Sequence, residues 1–526
     1  METKDLIAPE VYNITEEVMR FSHEERTAVK WKDDRGNERN ISYKDLAEKV
    51  NQYAQALKSQ GIEKGDRVLV LLPRIPEAYF TYLGCLRAGI AAIPCSEMLR
   101  QKDLLYRMEH SDAKGVVAFH TTTAEVNAIG ESHPALSRKL IIGGEETDWM
   151  RLEDLAAKEN TQYDGERTSR EDMAFLSYTS GTTGNPKGVV HTHGWGYAHV
   201  RTAARKWLGV EEGDVVWATA APGWQKWIWS PFLSTITLGA TAFVYHGPFD
   251  AEKYLSLLEN EKISVLCCTP TEYRIMSKLD NLASFDLSAL KSAVSAGEPL
   301  NKPVIAAFKE AFNIEVRDGY GQTENTLLVC NVQGMEVKPG SMGKPTPGNP
   351  VEIVDEHGQP VQPGEVGDIG VHKSCPALFK EYFRDPERTQ AAFRGDWYIT
   401  GDQAAKDEDG YFWFKGRSDD IIISSGYTIG PFEVEDALVK HPAVKECAVV
   451  ASPDETRGSI VKAFIVLKEE PSKSREELTK ELQDHTKQMT APYKYPRQIE
   501  FLEELPKTTS GKIRRIELRM QEQEKA

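Results

Sequence analysis

Short apolar runs alternate with amphipathic stretches along most of the chain. GDRVLVLLP (65–73) is an unbroken apolar run bounded by turn residues, the pattern of a strand buried on both faces. RIPEAYFTYLGCLRAG after it repeats apolar positions at helical spacing and stops at glycine, and AAIPCS supplies the next strand. The rhythm recurs in DVVWATAAPGW, a helical region near SPFLSTITLGA, and TAFVYH, and again in ISVLCCTP, a helix and LKSAVSAGEPL. Strands alternating with helices predict parallel sheets covered on both faces.

The texture changes twice. From about Val351 to Gly416, short strands are separated by Gly, Pro and Asp turns, which predicts an antiparallel, barrel-like unit. Beyond Arg417, EVEDALVKHPAV predicts a helix, KECAVVASPDETRGSIVKAFIVLK two strands, and SREELTKELQDHTKQM an amphipathic helix. The expected fold class is therefore α/β: a large N-terminal domain of parallel sheets with a small barrel-like unit, then a small α+β C-terminal domain.

Composition narrows the possible partners. At 526 residues the chain exceeds one compact core, and 40% hydrophobic with 27% charged residues is ordinary for a globular protein. No apolar run approaches the ~20 residues of a membrane span, and METKDLIAPEVYN has no secretory apolar core. A net charge of −16 disfavours nucleic acid and anionic membranes as partners. Seven cysteines without a CxxC suit a reducing cytoplasm, and Cys267-Cys268 fits a buried strand. The sequence leaves the oligomeric state open, a homodimer included.

Five polar segments carry candidate chemistry. SYTSGTTGNPKGVVHTHGW (177–195) imitates a P-loop but breaks its pattern, because Pro186 precedes Lys187 and Gly188 follows it. Its hydroxyls (Thr179, Ser180, Thr182, Thr183), its glycines and Lys187 still suit a phosphate chain. RDGYGQTENT (317–326) offers Tyr320 for stacking on a base and Glu324 for Mg²⁺. In YITGDQAAKDEDGYFWFKGRSDD, Asp402 can accept ribose hydroxyls and Arg417 can reach ribose or phosphate, while Asp407 and Asp409 fit turns. SAGEPL (295–300) alone is only a turn, and PKTTSGKIRR brings Lys512 in a Thr/Ser/Gly loop. HTH (191–193) lacks third and fourth ligands nearby and is better explained as helix-start packing than as a zinc site.

Together and in this order, these segments resemble the adenylate-forming superfamily of acyl-CoA synthetases, adenylation domains and luciferases. The resemblance spans nearly the whole chain. SSGYTIGPFEVEDALVKHPAV and TAPYKYPRQIEFLEELPKTTSGKI are most similar to medium-chain acyl-CoA synthetases.

The resemblance implies two half-reactions. A carboxylate attacks the α-phosphorus of ATP and releases pyrophosphate; coenzyme A thiol then attacks the acyl-adenylate and releases AMP. Two like charges meet in the first step, so fixed cations must offset the repulsion.

By the same resemblance Lys512, Glu324 and Thr323 are the catalytic set, with Mg²⁺ at Glu324. Thr179, Ser180, Gly181, Thr182, Thr183, Gly184, Asn185, Pro186 and Lys187 would hold the β- and γ-phosphates. Gly297, Glu298 and Pro299, with Asp318, Gly319, Tyr320, Gly321 and Gln322, would surround adenine, and Asp402 and Arg417 would take the ribose. Asp419 would be the hinge between an AMP-binding domain, 1–417, and a mobile lid, 418–526. Ser425, Gly426, Tyr427, Arg457 and Lys487 would meet coenzyme A.

Two departures bear on the substrate. Thr428 stands where close relatives often carry an Arg that touches substrate or nucleotide. Gly321 stands where acetyl-activating relatives place a Trp, which implies an acyl pocket, lined also by Trp224, open to a short or medium-chain, branched or aryl acid. The competing functions are an adenylation enzyme that loads a carrier protein and a silent nucleotide-binding regulator. The Arg457 and Lys487 pair speaks against the first, and retained Lys512 and Glu324 against the second.

Overall fold

The computed structural model describes residues 1–526 apart from 131–136, 180–185, 298–299, 301, 419, 425–426, 455–456, 470–472, 491, 508–511 and 526, with backbone alone at 423, 427, 428, 458 and 492. By compactness the chain divides into two units, 1–351 with 371–393, and 352–370 with 394–526.

The first unit contains two large sheets. In an eight-stranded sheet the order is Glu381–Tyr382, Lys187–Thr192, Met173–Thr179, Ala91–Pro94, Arg67–Leu71, Gly115–Phe119, Lys139–Ile142 and Met150–Arg151. The five strands from Ala91–Pro94 to Met150–Arg151 pair in parallel. They are short and almost wholly apolar because helices cover both faces. Met173–Thr179 and Lys187–Thr192 instead pair antiparallel, in a register that sets Thr179 opposite Lys187.

A nine-stranded sheet places Val316–Gly321 beside Ser292–Ala296 and Val265–Cys268 in parallel, then turns antiparallel at Leu327–Cys330. The expected helix Pro76–Arg87 forms with proline at its first turn, where the missing N–H costs nothing. All seven cysteines are buried and free, Cys267 and Cys268 among them, as core packing requires.

The region after Val351 forms a five-stranded sheet in which Trp397–Lys406 and Phe412–Arg417 are an antiparallel hairpin. Asp407 closes that hairpin's turn by accepting the Asp409 and Tyr411 amides, the structural role expected of it. Further on, Val444–Asp454 and Gly458–Leu467 pair antiparallel, and Gln498–Phe501 adds in parallel. The helix Pro431–Val439 starts two residues before the expected one and stops before His441, and Arg475–Met489 matches its expected helix. Among the described residues no helix is long and apolar enough to cross a membrane.

Candidate active site

The strand ends of the first unit assemble a carboxylate site. Lys187 opens the strand after the Gly/Thr loop, and Glu324 sits in the turn between Val316–Gly321 and Leu327–Cys330. Lys187 Nζ lies 3.3 Å from Glu324 Oε1 and 3.3 Å from the Tyr382 hydroxyl, and 4.8 Å from the centre of the Tyr382 ring. The Tyr382 hydroxyl donates to the same Glu324 oxygen at 2.9 Å. Glu324 and Tyr382 are both buried, so the carboxylate is held by two donors on one oxygen; Oε2 has no hydrogen-bond partner among the described residues.

Tyr382 was missed in the sequence. Nothing in KEYFRDPE marks it, because only the pairing of Glu381–Tyr382 with Val189 and Val190 brings it to Lys187. A polar cavity of about 250 Å³ opens at this point, lined in part by Lys187, Tyr382, His110 and Arg388.

Backbone geometry explains the glycines nearby. Gly297 ends the Ser292–Ala296 strand at φ +108°, a conformation that side chains disfavour. Lys226 Nζ donates to the Ala296 carbonyl at 2.6 Å and so ties the Trp224 segment to this turn, a second contact absent from the sequence reading. Trp224 itself is half-buried at the start of its helix.

Gly321 requires a correction. A Cβ there would lie 2.1 Å from the Thr326 carbonyl oxygen, so the space that a side chain would enter is filled by backbone and not by an open acyl pocket. Tyr320, Gly321 and Gln322 are half-buried along the same bulged edge, and Gly319 is buried against Trp207. Burial pushes the Asp318 carboxyl up to about 7, opposed by the amides of Leu300 and Gly319, which donate to it.

The turn bearing Glu324 rests on buried aromatics and imidazoles. His191 Nε2 donates to the Thr323 carbonyl (2.6 Å), and Trp195 Nε1 to the Asn325 carbonyl (3.1 Å). His199 meets the Thr326 hydroxyl through Nδ1 (2.6 Å) and the Trp229 carbonyl through Nε2 (2.9 Å). Burial holds His191 down to about 3 and His193 and His199 to about 4, so all three are neutral near pH 7. Thr192 caps the helix His193–His199, in keeping with the packing role expected of HTH. No cluster of three or more metal-ligating side chains occurs among the described residues.

The second unit carries the other candidates. Asp402 and Arg417 face each other across their hairpin, with a long 3.7 Å ion pair between a buried carboxylate and a half-exposed guanidinium. Lys487 contacts Asp484 (2.9 Å) and lies 4.4 Å from the centre of the Tyr495 ring, which Arg497 also covers at 4.8 Å. Arg457 is exposed, its amide bonded to Asp454. Lys512 is exposed in a loop whose ends, Lys507 and Ile513, pair as a β-bridge. The helix Arg515–Glu524 follows, latched by a two-pronged Arg515–Glu435 ion pair and by Arg519 to Asp420.

Thr179 ends the strand Met173–Thr179, Pro186 directly precedes Lys187, and Gln322 and Thr323 are half-buried just past the strand Val316–Gly321. Ser180, Gly181, Thr182, Thr183, Gly184, Asn185, Glu298, Pro299, Asp419, Ser425 and Gly426 lie outside the described residues, as do the side chains of Tyr427 and Thr428.

In parallel α/β sheets, polar side chains gathered where strands end are the usual setting for a ligand site. Comparison with known proteins sharpens this. The family model for AMP-binding enzymes matches residues 17–383, and that for the AMP-binding enzyme C-terminal domain matches 433–512.

The chain is 58% identical over 525 residues to an uncharacterized acyl-CoA ligase, YtcI, of Bacillus subtilis (strain 168), covering 100% of this chain and 98% of that protein. It is 41% identical over 529 residues to the mitochondrial acyl-coenzyme A synthetase ACSM3 of Mus musculus, covering 98% and 91%. Among solved structures it is similar to the anthranilate CoA ligase AuaEII bound to anthranoyl-AMP (TM-score 0.91, 31% identity, 100% and 99% covered). It is also similar to a benzoate CoA ligase of Burkholderia xenovorans LB400 (TM-score 0.84, 31% identity, 97% and 100% covered). The chain belongs to the AMP-binding enzyme family, and within it to the ATP-dependent acyl-CoA ligases.

Proposed function

We propose that this ligase activates a short- or medium-chain, branched or aryl carboxylic acid, with Mg²⁺ at Glu324, in the cytoplasm. The observation that carries the site assignment is the buried Lys187–Glu324–Tyr382 network. A carboxylate with one oxygen fixed by two donors and the other without a partner among the described residues fits a hard divalent cation. Bound there, Mg²⁺ would offset charge on the ATP phosphates.

Lys187 would hold the phosphates that leave, and Lys512 would offset the charge where the carboxylate meets the α-phosphate. No general base is required, because the acid is ionised near neutral pH. Asp402 would accept the ribose hydroxyls. Arg417, half-exposed across the hairpin from Asp402, would reach the ribose or a phosphate. In the second half-reaction the thiol of coenzyme A attacks the acyl carbon, AMP departs, and Arg457 and Lys487 meet the nucleotide end of the coenzyme. Asp419 would serve as the hinge between domains 1–417 and 418–526, so that Lys512 acts in the first step and withdraws in the second.

Since Gly321 is explained by the Thr326 carbonyl, the choice of acid rests on the similarity to medium-chain and aryl-acid ligases. The test is pyrophosphate release with ATP, Mg²⁺ and coenzyme A across acetate to octanoate, isobutyrate, 2-methylbutyrate, benzoate and anthranilate. A maximum among acids of four or more carbons is expected; a maximum at acetate would overturn the acid class and leave the chemistry standing.

A further inference from the structure

The turn that carries Glu324 lies between two strands, so its carbonyls need partners from outside the sheet. Four consecutive ones have them. Gln322 O accepts from the Asn325 amide (3.1 Å) and Glu324 O from the Phe379 amide (2.7 Å). The other two are taken by side chains, Thr323 O by His191 and Asn325 O by Trp195. The next side chain, Thr326, is bonded through its hydroxyl to His199.

His191, Trp195 and His199 are spaced by four residues and fully buried, and they continue one face across the junction between the strand Lys187–Thr192 and the helix His193–His199. Trp195 stacks on His199 at 5.2 Å between ring centres with 14° between planes, and lies 4.3 Å from His191. The far end is anchored as well. His199 Nε2 faces the Trp229 carbonyl and the Ser234 hydroxyl (3.1 Å), so that nitrogen is the donor to Trp229 and Nδ1 is left to accept from Thr326. Beyond His199 the helix widens to a π-helical winding over Val200–Leu208, and Trp229 sits in a second such segment, Ile228–Leu233. Such windings are uncommon and concentrate at functional sites.

We propose that His191, Trp195 and His199 are positioning residues for adenylation: a three-rung ladder that fixes the Thr323–Thr326 backbone and, through it, the aim of the Glu324 carboxylate. The reacting groups never touch the ladder. It holds the turn around Glu324 while Tyr382 and Lys187 hold the carboxylate oxygen, so that backbone and side chain are constrained by different residues. The strand that begins at Lys187 and the turn that bears Glu324 are thereby fastened along their length as well as at their charged tips.

The proposal rests on Glu324 as the Mg²⁺ ligand, and its test separates the two ideas. The probe is α,β-methylene-ATP, whose Kd is measured with and without Mg²⁺ on the full chain. His191→Leu removes a rung; His191→Gln restores an N–H donor close to the position of Nε2; Trp195→Phe keeps the stack and loses only the donor. Removing an outer support of a metal ligand costs 10–100-fold in metal affinity or activity. The expected result is that His191→Leu and Trp195→Phe lose roughly 10-fold or more of the Mg²⁺-dependent tightening, while metal-free binding and the KM for the acid hold. kcat for ATP–pyrophosphate exchange should fall by a similar factor, with His191→Gln recovering most of the loss.

Equal losses with and without Mg²⁺, or His191→Gln as impaired as His191→Leu, would reduce the ladder to packing and overturn the proposal. Should His191→Leu not fold, Trp195→Phe decides alone. A wild-type Kd indifferent to Mg²⁺, or a Glu324→Gln variant that keeps the full effect, would instead overturn the reading of Glu324.

Discussion

The two units hold their charged residues in opposite ways. In the first, Lys187 and Glu324 meet beside a buried tyrosine, and the neutral His191 imidazole and the Trp195 indole occupy carbonyls of the Glu324 turn. In the second, Arg457 and Lys512 are exposed, Lys487 rests on an aromatic ring, and Arg417 is half-exposed in a long pair with Asp402. Buried groups held by several hydrogen bonds are costly to move, while long side chains at the surface give up ion contacts cheaply. A reaction in two steps needs both: a fixed place for the phosphates, and cations that can be engaged and released.

The largest expected effect tests the movable side. Lys512→Ala should slow ATP–pyrophosphate exchange by roughly 10²–10³-fold, the loss typical of one donor aimed at developing charge. Single-turnover thioester formation from supplied acyl-adenylate should stay near wild type. Equal loss in both half-reactions would mean that Lys512 is not confined to the first.

On the fixed side, Tyr382→Phe keeps the ring beneath Lys187 and removes one donor to Glu324. Adenylation should fall about 10-fold, with a higher Mg²⁺ concentration for half-maximal rate. An unchanged Mg²⁺ dependence would show that the hydroxyl does not tune that carboxylate.

The buried imidazoles also leave a thermodynamic mark. Their pKa values are depressed on folding, so their share of stability is fully present above the ordinary value of 6.5 and is lost as the pH falls toward 4 and 3. Asp318 has the opposite sign. Its pKa is raised, so its share is complete below its ordinary value of 3.8 and is lost as the pH rises through about 7. Between about pH 5 and 6 each of these imidazoles takes up a proton on unfolding and Asp318 releases one, so the four groups together make stability rise with pH. Urea midpoints across that window measure it. Asp318→Asn should steepen the dependence and His193→Gln should flatten it, and a His193→Gln profile as steep as wild type would mean that this imidazole titrates normally.

The smallest effects belong to the two cations assigned to coenzyme A. Arg457→Ala and Lys487→Ala should each raise the KM for coenzyme A by a few-fold, the scale of an exposed ion contact of 0.2–1 kcal/mol. Pyrophosphate exchange should not change. If it falls as well, neither residue is specific to the second half-reaction.

Much of this contrast was legible along the chain. The parallel strands announced themselves as apolar runs too short for helices, since a strand covered on both faces has no polar positions to spare. Candidate residues on loops were legible for another reason: hydroxyls, glycines and a lysine crowded into one connection have little structural use. The reading went astray at Gly321, where absence of a side chain looked like room for substrate and is instead the close approach of the Thr326 carbonyl.

By itself, then, the sequence determined the fold class, the order of the polar segments and which of them carry charge, because periodicity and composition are local properties. Only the tertiary structure decided that Tyr382 shares an oxygen of Glu324 with Lys187, that Lys226 reaches Ala296, and that His191 and Trp195 bond two carbonyls of one turn while His199 bonds its Thr326 hydroxyl. Each of those contacts joins positions from 58 to 195 residues apart or depends on a strand register, as with Tyr382 and Glu324 at a separation of 58 and Lys187 and Tyr382 at 195. No local pattern can encode them, since burial and partner are fixed only when the sheets pair.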